Sequence, residues 1–153
     1  MSELDDLDDL DGPDGWTPAP EIPETGQGAP PQDLVFANPE QFVVGFLSPL
    51  IRRRLGGAYT WCDQWWAHAE GLMRITALWE TWEHFRHEGA LGMSTWLLHH
   101  ADPHLAVLLS KDNGPFAACK PGRHTQLDPL PTTPAPAELW ASAAFSEPDP
   151  PGE

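Results

Sequence analysis

The 153-residue sequence lacks any apolar run approaching the roughly 18–20 residues that a membrane-spanning helix needs. Its first ten residues are acidic, whereas a secretory signal begins with a basic region and continues into an apolar one. These two absences predict a cytoplasmic protein. Only two cysteines, Cys62 and Cys119, are present. In a reducing compartment we expect them as free thiols or metal ligands, not as a disulfide.

Basic residues are missing from both ends of the chain. Residues 1–38 contain ten Asp or Glu and residues 126–153 contain five, without a Lys or Arg in either segment. Residues 39–125 contain eight acids and eight bases, so the net charge of −15 belongs to the two ends. Because the middle segment is neutral, direct nucleic-acid binding is not expected. An acidic inhibitor that imitates DNA is a further alternative, but only the two ends would supply the mimicry.

The two acidic ends are also rich in proline, glycine and other residues of low hydrophobicity. Such segments bury too little apolar surface to offset the entropy lost on ordering. We therefore predict disordered tails over 1–33 and 132–153 around one globular, tryptophan-rich domain over 34–131. Within the second tail, the stretch 137–145 carries apolar residues at rough helical spacing and is a candidate docking peptide.

Helical signals in the middle segment predict a mainly α fold. Asn38 and Pro39 are typical of an N-cap and a first helical position, and apolar residues follow at three- and four-residue spacing. Pro49 lies within that pattern and is expected to kink or break the helix. A long central helix is predicted over 63–87. Its inward face is expected to carry Trp65, Leu72, Ile75, Trp79, Trp82 and Phe85.

A shorter helix is predicted over 95–101, ending where Asp102 and Pro103 disfavour helical backbone. The apolar run that follows is compatible with a short helix or with a buried strand. Turn residues at 111–114 favour a small β-hairpin over 105–119. The predicted fold class is therefore α+β, mainly α, in a single compact domain with a long central helix.

Cysteine and histidine side chains form the group whose chemistry goes furthest beyond core packing. Thiolate and imidazole are ligands that zinc prefers, and one metal would stabilise a domain of this size. The metal candidates are Cys62, Cys119, His68, His100 and His104, and His124 is a further candidate. Two of these four histidines would complete the site together with the two cysteines. No Cys-x-x-Cys pair is present, and each cysteine lies too far from the next candidate histidine for a tight zinc knuckle. Alternatively, both cysteines are small buried hydrophobes and His68 lies on a helix surface.

A second chemical hypothesis is a hydrolytic metal centre at His100, Asp102 and His104, with Asp102 as a ligand or an orienting carboxylate. Pro103 argues against a continuous helix there, and Asp102 has a simpler role as a helix cap or turn residue. If a metal site exists, we expect it where the start of the long helix meets this turn. No Walker-type glycine loop and no dinucleotide fingerprint is present, so nucleotide binding has no support.

Several short motifs of the middle segment follow one another in a fixed order. They are Tyr59-Thr60-Trp61-Cys62 with Trp65-Trp66 and His68, Leu78-Trp79 with Trp82-Glu83, Met93-Ser94 with Trp96, His100-Ala101-Asp102-Pro103-His104, and Gly114-Pro115-Phe116 with Cys119. Over about 34–131, this order resembles a family of domains of unknown function found mainly in actinobacteria and their plasmids, integrative elements and phages. The resemblance implies a link to mobile-element transfer, maintenance or host interference, and it assigns no chemistry.

From these observations we expect a non-enzymatic accessory protein of a mobile element or phage that binds a protein partner. The alternative is a zinc-binding protein with a nucleic-acid-associated or hydrolytic role. Zinc is the one cofactor that the residues suggest, and no membrane contact is expected.

Overall fold

A computed structural model describes residues 33–145 of the chain. This part is mostly helical, which confirms the mainly α prediction. Three helical segments build it: α1 (39–50), α2 (Ala69–Phe85) and α3 (92–108). Single 3₁₀ turns lie at Trp65–Ala67, Gly89–Leu91 and Ala137–Trp140. None of the helices between residues 33 and 145 has both the length and the apolar character that a bilayer crossing requires.

Helix α1 begins as predicted but continues through its proline. The side chain of Asn38 accepts a hydrogen bond of 2.9 Å from the N–H of Gln41, and Pro39 is the first helical residue. After one α turn (Pro39–Phe42), the backbone widens to a π-helix over Val43–Leu47 and returns to α over Ser48–Leu50. A widened turn relieves the clash between a proline ring and the carbonyl four residues earlier. A kink or a break was predicted at Pro49; the helix does not break there, and the widened turn before it is a local distortion.

Helix α3 repeats this arrangement around its own proline. An α turn over Gly92–Trp96 leads into a π segment over Leu97–Ala101, which closes with the N–H of Asp102 donating to the carbonyl of Leu97. The α-helix then resumes over Asp102–Leu108, with Pro103 in its first turn, where a missing N–H costs least. The predicted helix end at Asp102 and Pro103 is wrong for the same physical reason as the break at Pro49.

The predicted β-hairpin over 105–119 is also wrong. Its first half belongs to α3, and Leu105 and Leu108 are buried on the inner face of that helix. Apolar runs of this length fit a buried helix as well as a buried strand, so the periodicity did not separate the two. Strand-like pairing in the described residues consists of isolated bridges, one of which joins Tyr59 to Ser110.

Helix α2 is shorter than the predicted 63–87 because its start is displaced. His68 has extended backbone (φ −98°, ψ 119°) and separates the 3₁₀ turn at Trp65–Ala67 from the helix proper. The buried face of α2 then follows the four- and three-residue spacing of Gly71, Ile75, Leu78 and Trp82. This spacing leaves Leu72, predicted to face inward, 42% exposed.

Aromatic side chains from α1, α2, α3 and the segment just before α1 meet in one cluster, which we call the aromatic core. It comprises Phe36, Phe42, Phe46, Trp82 and Trp96, whose contacting ring centroids lie 4.9–6.4 Å apart. Trp96 is almost fully buried, and its indole N–H donates to the carbonyl of Leu78 and to the hydroxyl of Thr81, each at 3.2 Å. The buried indole thus keeps hydrogen-bonding partners.

The predicted tails fall largely outside the described residues, which begin at residue 33 and end at residue 145. Within the described part of the second tail, Ala137–Trp140 forms a 3₁₀ turn. The ring of Trp140 packs edge-on against Phe145, at 5.1 Å between centroids, and both side chains are about half exposed. The candidate docking peptide over 137–145 stays a prediction, as do the domain bounds 34–131.

Candidate metal centre

Two cysteines and two histidines converge on one point at the start of α2. One ligand atom from each of Cys62, His68, Cys119 and His124 lies within 4.8 Å of the other three. The Sγ of Cys62 is 3.5 Å from the Nδ1 of His124, and the Sγ of Cys119 is 3.3 Å from the Nε2 of His68. Tetrahedral zinc with ordinary bond lengths requires sulfur and nitrogen ligands to be about 3.6 Å apart. The two measured separations are close to this value.

The first pair of ligands is positioned by the irregular chain between Ala58 and α2. The N–H of Thr60 donates to the carbonyl of Leu109 at 2.9 Å, and the N–H of Lys111 donates to that of Ala58 at 3.2 Å. These bonds attach the strand-like entry to the end of α3, and Cys62 follows it directly. The 3₁₀ turn then reverses the chain, and the extended backbone of His68 places this side chain in the interior rather than on a helix surface.

The second pair is brought together by a tight turn. Lys120 and Arg123 exchange backbone hydrogen bonds of 3.0 and 2.8 Å across Pro121 and Gly122. Gly122 has φ of +70°, a conformation that L side chains disfavour and that this turn requires at its second corner. The chain therefore returns beside its starting point, and a cysteine and a histidine five residues apart face one site.

Thr125 completes this second half of the site. Its N–H donates to the Sγ of Cys119 at 3.4 Å, and its carbonyl lies 3.3 Å from the same sulfur. Outer hydrogen bonds of this kind orient metal ligands. The turn thus supplies two ligands together with a supporting contact.

Phe116 packs against His68 of the candidate site. Its side chain is fully buried, and its ring lies edge-on to the imidazole of His68, with centroids 5.0 Å apart. The same ring packs against α2 at Gly71, where an added Cβ would lie 2.8 Å from the Phe116 ring and 2.9 Å from the carbonyl of Trp65. This close approach explains why glycine, which destabilises a helix interior, occupies position 71.

Burial shifts the pKa values of two of these side chains, Cys62 and His68. It is the main cause that raises the pKa of Cys62 to about 11; the neighbouring Cys119 and Asp63 add to this rise, and a backbone hydrogen bond from Gln64 opposes it. Burial also lowers the pKa of His68, with His124 as a smaller second cause. Neutral imidazole is the form that binds a metal ion, whereas the thiols must lose their protons, which a bound divalent cation promotes.

Of the five residues predicted as metal candidates, Cys62, Cys119 and His68 come together, and His124 completes the group. His100 and His104 lie outside it. The imidazole Nδ1 of His104 contacts a guanidinium nitrogen of Arg74 at 3.2 Å, and the ring of His100 packs against Phe85 at 5.1 Å. The group is therefore centred near the Pro121–Gly122 turn and does not include the expected turn at Asp102.

The residues of the hydrolytic hypothesis, His100, Asp102 and His104, do not form a group that could share an ion. Asp102 is an exposed residue in the first turn of a resumed helix, and His104 faces a cation. Burial, the guanidinium of Arg74 and the nearby His100 lower the pKa of His104, in that order of size. Among the residues that the structure describes, one group of three or more His, Cys, Asp or Glu side chains is close enough to share an ion. This group is Cys62, His68, Cys119 and His124.

The sequence did contain a signal for His124. Pro121-Gly122 is a strong turn dipeptide, and a tight turn between Cys119 and His124 brings these two side chains to the same side of the chain. We expected the site where the start of the long helix meets the turn at Asp102, Pro103 and His104. The turn chemistry at Pro121-Gly122 was the better guide.

Comparisons with known proteins give one match. The profile of a family described as Domain of unknown function (DUF4913) matches residues 36–137, and this span contains all four side chains of the cluster. Neither the curated proteins nor the solved structures contain a significant match to this chain.

Proposed function

The chain belongs to the DUF4913 family of domains of unknown function, and we propose that it is a zinc-binding protein whose ion is structural rather than catalytic. The convergence of two thiols and two imidazoles carries this proposal. The ligands come from two chain segments, since His68 and Cys119 are 51 positions apart in the sequence. A chance surface cluster is not expected to bring two thiols and two imidazoles, three of them buried, together from distant segments.

Closure of the ligand set supports a structural role. Four protein ligands fill the tetrahedral coordination of zinc, whereas catalytic zinc sites use three and leave one position for water or substrate. Cys62, His68 and Cys119 are 2%, 4% and 6% exposed, respectively. A substrate would have to displace a ligand in order to reach the ion.

The ion would join two segments that have little regular structure of their own. The chain around Cys62 enters α2, and the chain around Cys119 leaves the turn after α3. Outside the helices, these segments are held by turn and loop hydrogen bonds, such as those of Thr60 and Lys120, and not by a helix or sheet ladder. Zinc ligation supplies a large folding free energy to segments of this kind.

With an ion that only stabilises the fold, the protein acts by binding. We propose the non-enzymatic role that the sequence led us to expect, in which the domain binds a protein partner. The setting in a mobile element rests on the family resemblance alone and remains a prediction. Neutral charge over 39–125 favours a protein partner over nucleic acid.

Cobalt substitution tests the ligand set directly. We expect the full chain, refolded with Co²⁺, to show the intense visible bands of tetrahedral cobalt and a thiolate-to-cobalt charge-transfer band in the ultraviolet. Cys62→Ser and Cys119→Ser should each reduce the charge-transfer band. His104→Gln, which changes a histidine outside the cluster, is the matched control and should leave the spectrum unchanged. A wild-type spectrum of octahedral cobalt without charge transfer would refute the proposed site.

A further inference from the structure

An apolar groove of about 500 Å³ lies between α1 and the end of α3. Its aliphatic lining consists of Val43, Leu47, Ile51, Leu55, Leu105 and Leu109. Trp61 contributes the one aromatic side chain of the lining. Grooves of this kind, lined by aliphatic side chains between two helices, suit the apolar face of an amphipathic peptide.

Two arginines border this groove, and neither has an ion-pair partner among residues 33–145. Arg52 and Arg53 line it, and both are exposed. Arg52 Nε donates to the carbonyl of Pro49 at 3.1 Å, and an Arg53 guanidinium nitrogen donates to the carbonyl of Arg52 at 3.2 Å. No carboxylate of the described residues forms an ion pair with either of them. The guanidinium groups are thus held beside an apolar surface and remain available to acidic groups of a ligand.

We propose that this groove binds an acidic amphipathic peptide segment of a protein partner. Aliphatic side chains of the peptide enter the groove, and its carboxylates pair with Arg52 and Arg53. Charge complementarity selects this class of partner: an apolar floor alone would accept any hydrophobic peptide, and the two arginines favour an acidic one. The proposal deepens the binding role inferred above by naming the chemistry of the partner.

A nucleic-acid strand fits this surface less well. Binding of single strands depends on stacking of bases against aromatic side chains, with a basic groove that follows the backbone. The lining offers a single ring, Trp61, among aliphatic side chains. The bases would therefore meet a surface that suits leucine and valine side chains.

The groove is also connected to the proposed zinc site. Trp61 lies next to Cys62 in the chain, and its ring packs edge-on against Phe116 with centroids 5.2 Å apart. Phe116 in turn supports His68. An ion at the cluster would therefore hold one part of the groove lining in place, and this coupling rests on the proposed metal function.

Fluorescence anisotropy with synthetic peptides tests the proposal on the zinc-loaded full chain. The probe is a labelled 16-residue peptide of leucine, glutamate and alanine, with leucines at three- and four-residue spacing. Two comparison peptides carry lysine in place of glutamate, or the same residues in scrambled order. We expect the acidic probe to bind at least about tenfold more tightly than either, with the advantage over the lysine peptide shrinking as salt is added.

Matched variants locate the binding surface. The double change Arg52→Glu and Arg53→Glu should weaken binding of the acidic probe by about tenfold or more. Lys111→Glu reverses a charge at an exposed position outside the lining, and should leave binding within about twofold. Leu55→Asp should also weaken binding, whereas Leu91→Asp, at another exposed leucine, should not. Melting curves for each variant separate lost binding from lost folding.

The outcomes of these experiments separate the groove proposal from the metal proposal. Equal binding of acidic and lysine peptides, or unchanged binding by the double arginine variant, would overturn the groove proposal. A chain that holds one zinc ion but binds no peptide would also overturn it, and would leave the metal function intact. Peptide binding by a chain that takes up no zinc would support the groove and refute the metal function. Tighter binding of a labelled oligothymidine than of the acidic probe would replace the peptide with a nucleic acid.

Discussion

The aromatic core and the metal centre are built in opposite ways. In the core, large rings contact one another, four of them carried by α1, α2 and α3, and Phe42 and Trp96 are almost completely buried. In the metal centre, small or polar side chains on irregular chain surround a single supporting ring, Phe116. Burial of apolar area is sufficient to stabilise the first region. The second region buries thiols and imidazoles instead, and the proposed ion would supply its stability.

Removal of one metal ligand should produce the largest difference in stability between the aromatic core and the metal centre. Cys119→Ser keeps the size of the side chain and removes a thiolate. Structural zinc contributes about 10–16 kcal/mol to the folding of small zinc-finger peptides, and here we expect a loss of several kcal/mol because the aromatic core persists. Hydrogen exchange should accelerate over 59–68 and 116–125 and remain slow on the buried face of α2.

Chelation of the wild-type protein is the control for this variant, since it should reproduce the same exchange pattern without a mutation. Equal melting temperatures of wild type and Cys119→Ser, both with zinc present, would show that the two regions do not differ in their need for a metal.

A shorter side chain in the aromatic core should lower stability without changing zinc affinity. Trp96→Ala removes a buried indole and should lower the free energy of unfolding by about 3–5 kcal/mol. Trp96→Phe retains most of the ring but leaves the carbonyl of Leu78 and the hydroxyl of Thr81 without the indole donor. We expect it to cost less than the alanine change. Denaturant unfolding measures both.

In both Trp96 variants, the folded fraction should still bind one zinc ion per chain with unchanged affinity. Loss of zinc affinity in proportion to the loss of stability would show that core and metal centre form one cooperative unit instead of two regions with separate sources of stability.

Gly71→Ala tests the contact through which α2 supports the metal centre. The added methyl group would lie 2.8 Å from the ring of Phe116, so ring or helix must shift. Overpacking of this kind costs about 1–3 kcal/mol, and alanine's better helix propensity offsets part of that cost. We expect both a lower melting temperature and weaker zinc binding.

Gly57→Ala is the matched control, because an added Cβ there meets no atom within 4 Å. If Gly71→Ala lowers stability while zinc affinity stays at the wild-type value, Phe116 does not position the ligands.

The smallest expected effect concerns the pH dependence of stability through His104. Burial, Arg74 and His100 lower its pKa in the folded state, so the unfolded chain takes up this proton first as the pH falls. Its contribution to stability is present above the ordinary pKa of 6.5 and is lost as the pH falls through the folded value. His104→Gln should therefore reduce the slope of unfolding free energy against pH below about 6.5. An unchanged slope in zinc-saturated protein would contradict this assignment.

Local signals in the sequence predicted much of the helical framework. Asn38 and Pro39 mark the start of α1, and the buried Ile75 and Trp82 follow from helical spacing. The prolines at 49 and 103 misled prediction because a π turn before each of them resolves a conflict that an α-helix cannot. Such turns depend on packing around the helix and leave no clear mark in the local sequence.

The cluster was predicted in residue type and only partly in position. Cys62, Cys119 and His68 were identifiable as candidates because thiols and imidazoles are zinc ligands. Which histidine completes the group depends on how the chain after α3 returns to the start of α2. That is a tertiary relationship, and only the Pro121–Gly122 turn gave a local indication of it.

Native mass spectrometry of the purified full chain, refolded with zinc, tests the metal site most directly. We predict one zinc ion per chain in the wild type, the same in His104→Asn, and none in His124→Asn at equal zinc concentration. This pair of histidine variants compares two candidates from the sequence, His104 outside the cluster and His124 within it. A wild-type chain without zinc, or an His124→Asn chain that retains it as firmly as wild type, would contradict the Cys62, His68, Cys119 and His124 site.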